Sequence, residues 1–96
     1  MTIWGSARFT VSKDELDAAL GAIRTFVAHT KTEPGTLRYE SWRSLDRRTE
    51  FLHLMSFTDE YAEQAHASSD AVRAFTDVLY PRCEERPTFE RWELVD

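Results

Sequence analysis

The chain opens with an alternation of apolar and polar residues. From Ile3 to Val11, every second residue is apolar or small, and the residues between them are mainly polar. This two-residue period predicts a β-strand with one face towards a core. Ser12 and Glu15 then match a capping box, in which both side chains satisfy free amide groups at a helix start. Apolar residues at helical spacing follow, so we predict a first helix over about residues 13–30. Those residues are Leu16, Ala19, Leu20, Ile23 and Val27.

A sharp turn separates this helix from two further predicted strands. Pro34 disfavours helix at Glu33, and Gly35 can take a positive φ that other residues resist. Residues 37–43 and 49–57 have strand character and are joined by a polar turn, so they predict a hairpin. The second of these strands carries apolar residues on both faces and therefore needs cover on both sides. One face holds Phe51, His53, Met55 and Phe57, and the other holds Leu52, Leu54 and Ser56.

The remaining residues predict a broken helix and a last strand. Thr58 can cap a helix that begins with Asp59 and Glu60. Ser68 or Ser69 can cap a second helical segment, which Pro81 ends. Its inward-facing residues are predicted to be Val72, Phe75, Val78 and Leu79. Residues 89–95 alternate again and predict the final strand.

This order of elements predicts a fold class and an assembly. The sequence β-α-β-β-α-β indicates a ferredoxin-like α+β fold with an antiparallel sheet, formed by one domain over residues 1–96. Helices would cover one face of the sheet, and nothing remains in the chain to cover the other. Large apolar residues are nevertheless expected on that second face, namely Trp4, Leu52, Leu54, Trp92 and Leu94. A second copy of the chain could cover them, so we expect a homodimer.

Composition excludes several classes of partner. The 96 residues include 12 basic and 17 acidic side chains, for a net charge of −5. This balance argues against nucleic acid as a partner. Apolar runs are too short for a membrane span, so no membrane partner is expected. Cys83 is the single cysteine and cannot form an internal disulfide, and the N-terminus does not resemble a secretion signal. We therefore expect a cytoplasmic protein.

Two stretches carry a resemblance to a known family. Glu33-Pro34-Gly35-Thr36-Leu37-Arg38-Tyr39-Glu40, followed by a strand that ends near Phe57 and by His66-Ala67-Ser68-Ser69, resembles the antibiotic biosynthesis monooxygenase (ABM) family. The resemblance extends over roughly residues 9–75 and implies a dimeric α+β barrel. ABM enzymes that resemble this chain oxidise electron-rich phenols to quinones with O₂, without flavin, haem or metal. It therefore implies a small aromatic substrate and no cofactor.

Two histidines are the candidate catalytic residues. His66 occupies the family position at the start of the helix after the third strand, where imidazole suits a proton acceptor or a hydrogen-bond donor. Its alternative role is structural, since a His three residues before Ser69 can bond backbone groups and fix the helix break. His53 lies where the family usually has an apolar or aromatic residue. It would enter a cavity if its strand face looks towards the helices, or else reach solvent or a backbone carbonyl.

The candidate substrate-binding residues are aromatic or apolar. Tyr39 matches a frequent family Tyr and could bond a substrate oxygen, although a strand Tyr is more often a core residue. Phe51, Met55 and Phe57 share the face of His53 and are predicted to contact an aromatic ligand. Opposite them, Gly5 and Ala7 on the first strand are small, so space is expected beneath the helices.

Departures from the family keep other functions open. Many ABM members have Glu, Trp and His where this chain has Met55, Phe57 and Ala71. In the haem-degrading branch an Asn on the first strand is essential, and this chain contains no Asn. No phosphate loop, cysteine ligand pair or Gly-x-Ser-x-Gly motif is present. A cofactor-independent monooxygenase is the first hypothesis. A non-catalytic dimeric module that binds a small ligand or serves assembly, and an isomerase or cyclase that acts in the same cavity, are the alternatives.

Overall fold

The computed structural model describes all 96 residues as one sheet with helices on one side. The strands are β1 (Ile3–Thr10), β2 (Thr36–Arg43), β3 (Glu50–Phe57) and β4 (Thr88–Trp92). The helices are α1 (Leu16–Thr30), α2 (Glu60–Ala67) and α3 (Asp70–Leu79). All neighbouring strands are antiparallel, in the order β2-β3-β1-β4. The predicted ferredoxin-like α+β fold is confirmed, including the break between α2 and α3.

The core lies between the sheet and helices α1 and α3. Phe9 and Phe51 from the sheet are buried there, and Phe26 and Phe75 stack on each other with ring centroids 4.2 Å apart. Ala19 and Ile23 are buried as predicted, whereas Leu16, Leu20 and Val27 are partly buried at the edge of the stripe. Phe26 completes this helical face, three residues after Ile23, and supplies the stacking partner for α3.

A bulge at the start of β2 shifts the pairing register of this strand with β3. Thr36 pairs with Phe57 and Arg38 pairs with Ser56, so β2 has one extra residue between them. Side chains of a strand alternate between the two faces of the sheet. The extra residue therefore changes this alternation, so that the side chains before the bulge are out of phase with those after it. Tyr39 follows the bulge and pairs with Met55, so it shares the helix-facing side of the sheet with Met55 and is buried.

The two predicted helix starts at Ser12 and Thr58 are wrong in detail. The Ser12 hydroxyl makes no capping bond, and residues 13–15 form a 3₁₀ turn before α1. Glu15 does not complete a capping box, because its carboxylate pairs with Arg82 at 3.0 Å. At α2, Asp59 rather than Thr58 is the cap. A carboxylate suits this position because it accepts hydrogen bonds beside the positive end of the helix dipole.

In the C-terminal third of the chain, the predicted cap at Ser69 and the inward facing of Phe75 and Leu79 are confirmed, and two other predictions are wrong. Ser69 caps α3 by accepting a hydrogen bond from the backbone of Val72 at 3.2 Å, as predicted. Val78, however, does not face inward and is 39% exposed, because the buried face of α3 follows Phe75 and Leu79. The last strand also ends at Trp92 instead of residue 95. Trp92 pairs with Trp4 near the start of β1, so the residues beyond it have little strand left to pair with.

The sheet face opposite the helices is uncovered within one chain. Trp92 and Leu94 are exposed, and Trp4, Leu52 and Leu54 are half-buried. Polar groups are interspersed among them. The Trp92 indole donates to the Ser6 hydroxyl at 2.9 Å, for example. No helix combines the length and the apolar composition needed to cross a membrane.

Candidate functional site

A cavity of about 410 Å³ lies between the sheet and the helices. Gly5 and Ala7 on β1 form part of its wall. A Cβ atom on Gly5 would approach Met55 Cγ to 3.1 Å, so a side chain here would crowd the space. Aromatic and imidazole rings form much of the remaining wall, namely Phe26, Tyr39, His53, Phe57, His66, Phe75 and Phe89. The expected space beneath the helices is therefore present, with an apolar lining that suits an aromatic ligand.

His66, in the last turn of α2, forms a hydrogen-bonded pair with Glu33. The His66 Nδ1 and Glu33 Oε1 atoms are 2.8 Å apart, and the two side chains are only 10% and 14% exposed. The His66 ring also packs against Phe57, with centroids 5.2 Å apart. The alternative role for His66, in which its side chain bonds backbone groups, is not what the structure shows. The side chain joins α2 to the turn before β2.

The turn that carries Glu33 is packed tightly against α2. Gly35 has a φ of 83°, a conformation that favours glycine. A Cβ atom at this position would lie 2.6 Å from the Cβ of Ala62 on α2. The Gly35 carbonyl also accepts a hydrogen bond from the Thr58 backbone at 2.8 Å. This close approach explains how Glu33, which is 33 residues away in sequence, reaches His66.

The Glu33 carboxylate determines which nitrogen of His66 can take a proton. An ionised carboxylate only accepts hydrogen bonds, so Nδ1 must carry the proton of this contact. In the neutral ring, Nε2 is then the free lone-pair acceptor. A carboxylate behind the ring also stabilises the imidazolium that forms when Nε2 accepts a proton. The arrangement places an imidazole with a carboxylate partner at the cavity wall, and such a pair is chemically able to accept a proton at Nε2.

His53 and Tyr39 form a second, deeper pair. The Tyr39 hydroxyl lies 2.8 Å from His53 Nδ1, and the two residues are 4% and 1% exposed, Tyr39 first. Burial lowers the pKa of His53 to about 4, so the ring is neutral at physiological pH. Burial, and secondly the negative charge of Glu33, raises the pKa of Tyr39 well above its usual value. His53 therefore faces the helices rather than solvent, and it is bonded to a phenol rather than to a backbone carbonyl.

The other predicted contact residues divide between the cavity and the core. Met55 and Phe57 line the cavity. Phe51 does not, because it stacks on Phe9 in the core with ring centroids 5.5 Å apart. The Arg43 guanidinium lies over the Phe51 ring, 5.8 Å from its centroid. Of the predicted substrate-contacting residues, Phe51 alone is excluded from direct contact with a ligand in this cavity.

Sequence reasoning missed two acidic partners, Glu33, which is bonded to His66, and Glu63, which lines the cavity and is bonded to Arg91. Glu33 was considered only as part of a turn, and its pairing with His66 carries no sequence signal. Arg91 on β4 bonds Glu63 on α2 through two contacts of 2.9 Å, and both residues line the cavity. Arg91 also lies 3.5 Å from Glu60. These pairs join the exposed strand β4 to α2. No group of three His, Cys, Asp or Glu side chains with metal-binding geometry occurs.

A family model matches most of the chain. Residues 5–78 match the model described as antibiotic biosynthesis monooxygenase. The chain belongs to this family. The ABM match includes Glu33, Tyr39, His53 and His66, so both bonded pairs of the cavity lie within it.

Solved structures agree with this ABM assignment at the level of the fold. A crystal structure of an antibiotic biosynthesis monooxygenase has a TM-score of 0.94 and 17% identity, with 98% of this chain and 99% of that one covered. A Mycobacterium tuberculosis protein has a TM-score of 0.93 and 17% identity, with coverages of 100% and 97%. A Shewanella oneidensis protein is 25% identical with a TM-score of 0.85, and the coverages are 95% and 88%. No curated protein matches the chain.

Proposed function

We propose that the protein is a cofactor-independent monooxygenase that oxidises a phenolic or polyketide-like aromatic compound with O₂. The observation that carries the proposal is His66, which lies in the wall of an apolar cavity of about 410 Å³ and whose Nδ1 is 2.8 Å from the Glu33 carboxylate behind it. An apolar cavity suits an aromatic ring, and a base at its wall suits removal of a phenolic proton. Membership of the ABM family supports the same class of reaction.

The proposed reaction begins with proton transfer to His66. Its Nε2 atom accepts the phenolic proton, and the Glu33 carboxylate stabilises the imidazolium that results. The phenolate gives up electrons to O₂ more readily than the phenol does. One oxygen atom of O₂ then becomes the new quinone oxygen and the other leaves as water, which takes up the two hydrogen atoms that the substrate loses, one of them as the proton held by His66. The chain's own contribution is to bind the ring, remove the proton and hold the anion in a cavity of low polarity.

Oxygen uptake tests this proposal. Purified protein is mixed with a panel of hydroquinones and anthrones, and the consumption of O₂ is compared with the formation of quinone. The proposal predicts uptake by the wild-type protein in a ratio of one O₂ per quinone, and a large decrease in the His66→Gln variant. If no compound is oxidised, the proposed reaction is wrong. If the His66→Gln variant is as fast as the wild type, the proposed base is wrong.

A non-catalytic module that binds a small ligand is the second candidate. It is favoured by Met55 and Phe57, whose apolar side chains line the cavity at positions where many ABM members have Glu and Trp. Such a module would bind aromatic compounds without O₂ uptake. Replacing Ala7 by Phe should abolish that binding while leaving the fold intact. An isomerase or cyclase would instead form product in the absence of O₂.

We also propose that the protein is a cytoplasmic homodimer. Support comes from the helix-free sheet face, where Trp92 is 54% exposed and Leu94 is 73% exposed. Pairing of two such faces would remove these side chains from water. Sedimentation equilibrium should give about twice the chain mass of 11.2 kDa. A monomer at micromolar concentration would contradict the dimer but not the proposed reaction.

A further inference from the structure

One buried polar atom in the cavity wall has no partner. His53 Nε2 is buried and makes no hydrogen bond, although Nδ1 of the same ring is bonded to Tyr39. His53 as a whole is 1% exposed. Buried polar groups are nearly always hydrogen-bonded, and leaving one unpaired costs about 1–3 kcal/mol. An unpaired atom at a ligand cavity therefore points to a group supplied by the ligand.

The partner of Nδ1 indicates which hydrogen-bonding role remains for Nε2. If the Tyr39 hydroxyl donates to Nδ1, then Nε2 carries the ring's proton and only this donor is left unsatisfied. If Nδ1 donates to Tyr39 instead, the phenolic hydrogen and the Nε2 lone pair are both left without partners. The first arrangement satisfies more buried groups and is favoured. Nε2–H is thus a hydrogen-bond donor without an acceptor.

The ring that carries this donor is part of the cavity wall. Tyr39 lies on β2, on one side of β3, and its bond to Nδ1 leaves the Nε2 part of the His53 ring away from Tyr39. Directly across on β1 the residue is Ala7, whose small side chain lines the cavity. On the helix side the ring stacks on Phe75, with centroids 6.0 Å apart. A flat ligand that lies along Ala7 would bring an acceptor atom towards Nε2.

We propose that His53 anchors the ligand by donating a hydrogen bond from Nε2–H to a carbonyl oxygen of an aromatic ketone. Tyr39 is the positioning residue, because its bond to Nδ1 keeps the ring proton on Nε2. The inference refines the proposed function by naming a ketone on the aromatic substrate, and it rests on that function for the reaction but not for the binding. It also assigns His53 a different task from the base, which is His66.

Binding of a ketone and of its hydrocarbon analogue tests the anchor. 9-Fluorenone and fluorene have the same fused rings, and only the first has a carbonyl oxygen. Titration calorimetry should give a dissociation constant roughly tenfold lower for fluorenone with the wild-type protein, as expected for one buried hydrogen bond. The infrared carbonyl stretch of bound fluorenone should shift to lower frequency than in an apolar solvent. The infrared measurement needs no variant.

Three variants, one of them a control, separate the anchor from general packing. His53→Phe should bind both compounds equally and remove the infrared shift, whereas the matched control His29→Phe, at an exposed position of α1, should retain both the preference and the shift. Tyr39→Phe should weaken the shift, because Nδ1 can then take the ring proton. Equal binding by the wild type, failure to bind fluorenone, or an unshifted carbonyl band would overturn the proposal. Fluorenone has no hydroxyl to oxidise, so this outcome is independent of O₂ turnover.

Discussion

The two histidines of the cavity are held by chemically different partners. His66 Nδ1 is bonded to the carboxylate of Glu33, and His53 Nδ1 is bonded to the hydroxyl of Tyr39, both at 2.8 Å. The first partner is an anion near the surface, and the second is a neutral phenol in the core. The Tyr39 ring lies between the two, with its centroid 5.4 Å from that of His53 and 5.7 Å from that of His66.

This difference in partner separates the tasks of two residues that look equivalent in sequence. A carboxylate fixes the Nδ1 proton and compensates a positive charge, so His66 suits proton transfer. Burial beside a phenol keeps His53 neutral, with a pKa lowered to about 4, so this ring is a poor base at physiological pH. The group bonded to Nδ1 of each ring, together with the burial of that ring, therefore determines whether the histidine suits proton transfer.

The largest effect is expected for loss of the His66 side chain. Replacing His66 by Gln removes the base, and turnover should fall by roughly 10²–10⁴-fold, as is typical for loss of acid–base catalysis. The exposed His29 on α1 provides the control, since His29→Gln should leave turnover unchanged. Steady-state rates on any compound that the wild type oxidises provide the measurement. A smaller decrease for His66→Gln than for His53→Gln would reverse the assignment.

Acid should destabilise the protein through His53. The pKa of this ring is about 4 in the folded protein and 6.5 without burial, so between these values the unfolded chain binds more protons. Stability contributed by the neutral ring is complete above pH 6.5 and is lost as pH falls towards 4. The loss is at most about 3 kcal/mol.

Urea unfolding of the wild type and of His53→Gln at several pH values isolates this contribution from that of the carboxylates. The variant should lose less stability than the wild type over this window. Parallel curves for the two proteins would show that His53 is not neutralised by burial.

Adding a methyl group at Gly35 should disturb the Glu33–His66 contact and leave the Tyr39–His53 contact unchanged. Gly35→Ala places a Cβ atom 2.6 Å from Ala62 and strains a positive φ, so the turn must move away from α2. We expect a loss of about 1–3 kcal/mol in stability from strain of this kind. We also expect slower turnover, because Glu33 is carried away from His66. Thermal melts and rates provide the measurement, and Gly21→Ala, at a helix position with open space, is the control.

The smallest effect is expected for the partner of His53. Tyr39→Phe removes one buried hydrogen bond and should cost about 1 kcal/mol in the free energy of unfolding. Turnover should change far less than in His66→Gln, since Tyr39 does not hold the base. Denaturant unfolding and steady-state kinetics of Tyr39→Phe and the wild type measure the two effects. A decrease in turnover as large as that of His66→Gln would place Tyr39 in the proton transfer itself.

Local sequence patterns are sufficient to predict most of the helices and strands of the fold. Alternation placed β1, and helical spacing placed α1 and α3, because each pattern reports a single element with one buried face. The cap at Ser69 was also visible. The caps at Ser12 and Thr58 were not predicted correctly, since several neighbouring residues could each supply an oxygen and tertiary contacts decide between them.

The cavity was predictable only in part, because its pairs join distant segments. His53 and Tyr39 meet through the register of the β2–β3 hairpin, which pairs Tyr39 with Met55 and Ser41 with His53, and the sequence pattern does not fix this register. Glu33 and His66 meet because the turn at Gly35 packs against α2, which is a tertiary contact. Phe51 shares a strand face with His53 yet lies in the core, because Phe9 covers it at that end of the sheet.

A double-mutant cycle on Glu33 and His66 tests the central claim most directly. The values of kcat/KM are measured for the wild type, Glu33→Gln, His66→Gln and the double variant. If the carboxylate acts through the imidazole, Glu33→Gln lowers kcat while changing KM little, and the double variant is no slower than His66→Gln alone. Effects that multiply in the double variant would show that the two residues act independently, and would contradict the account of His66 as a base held by Glu33.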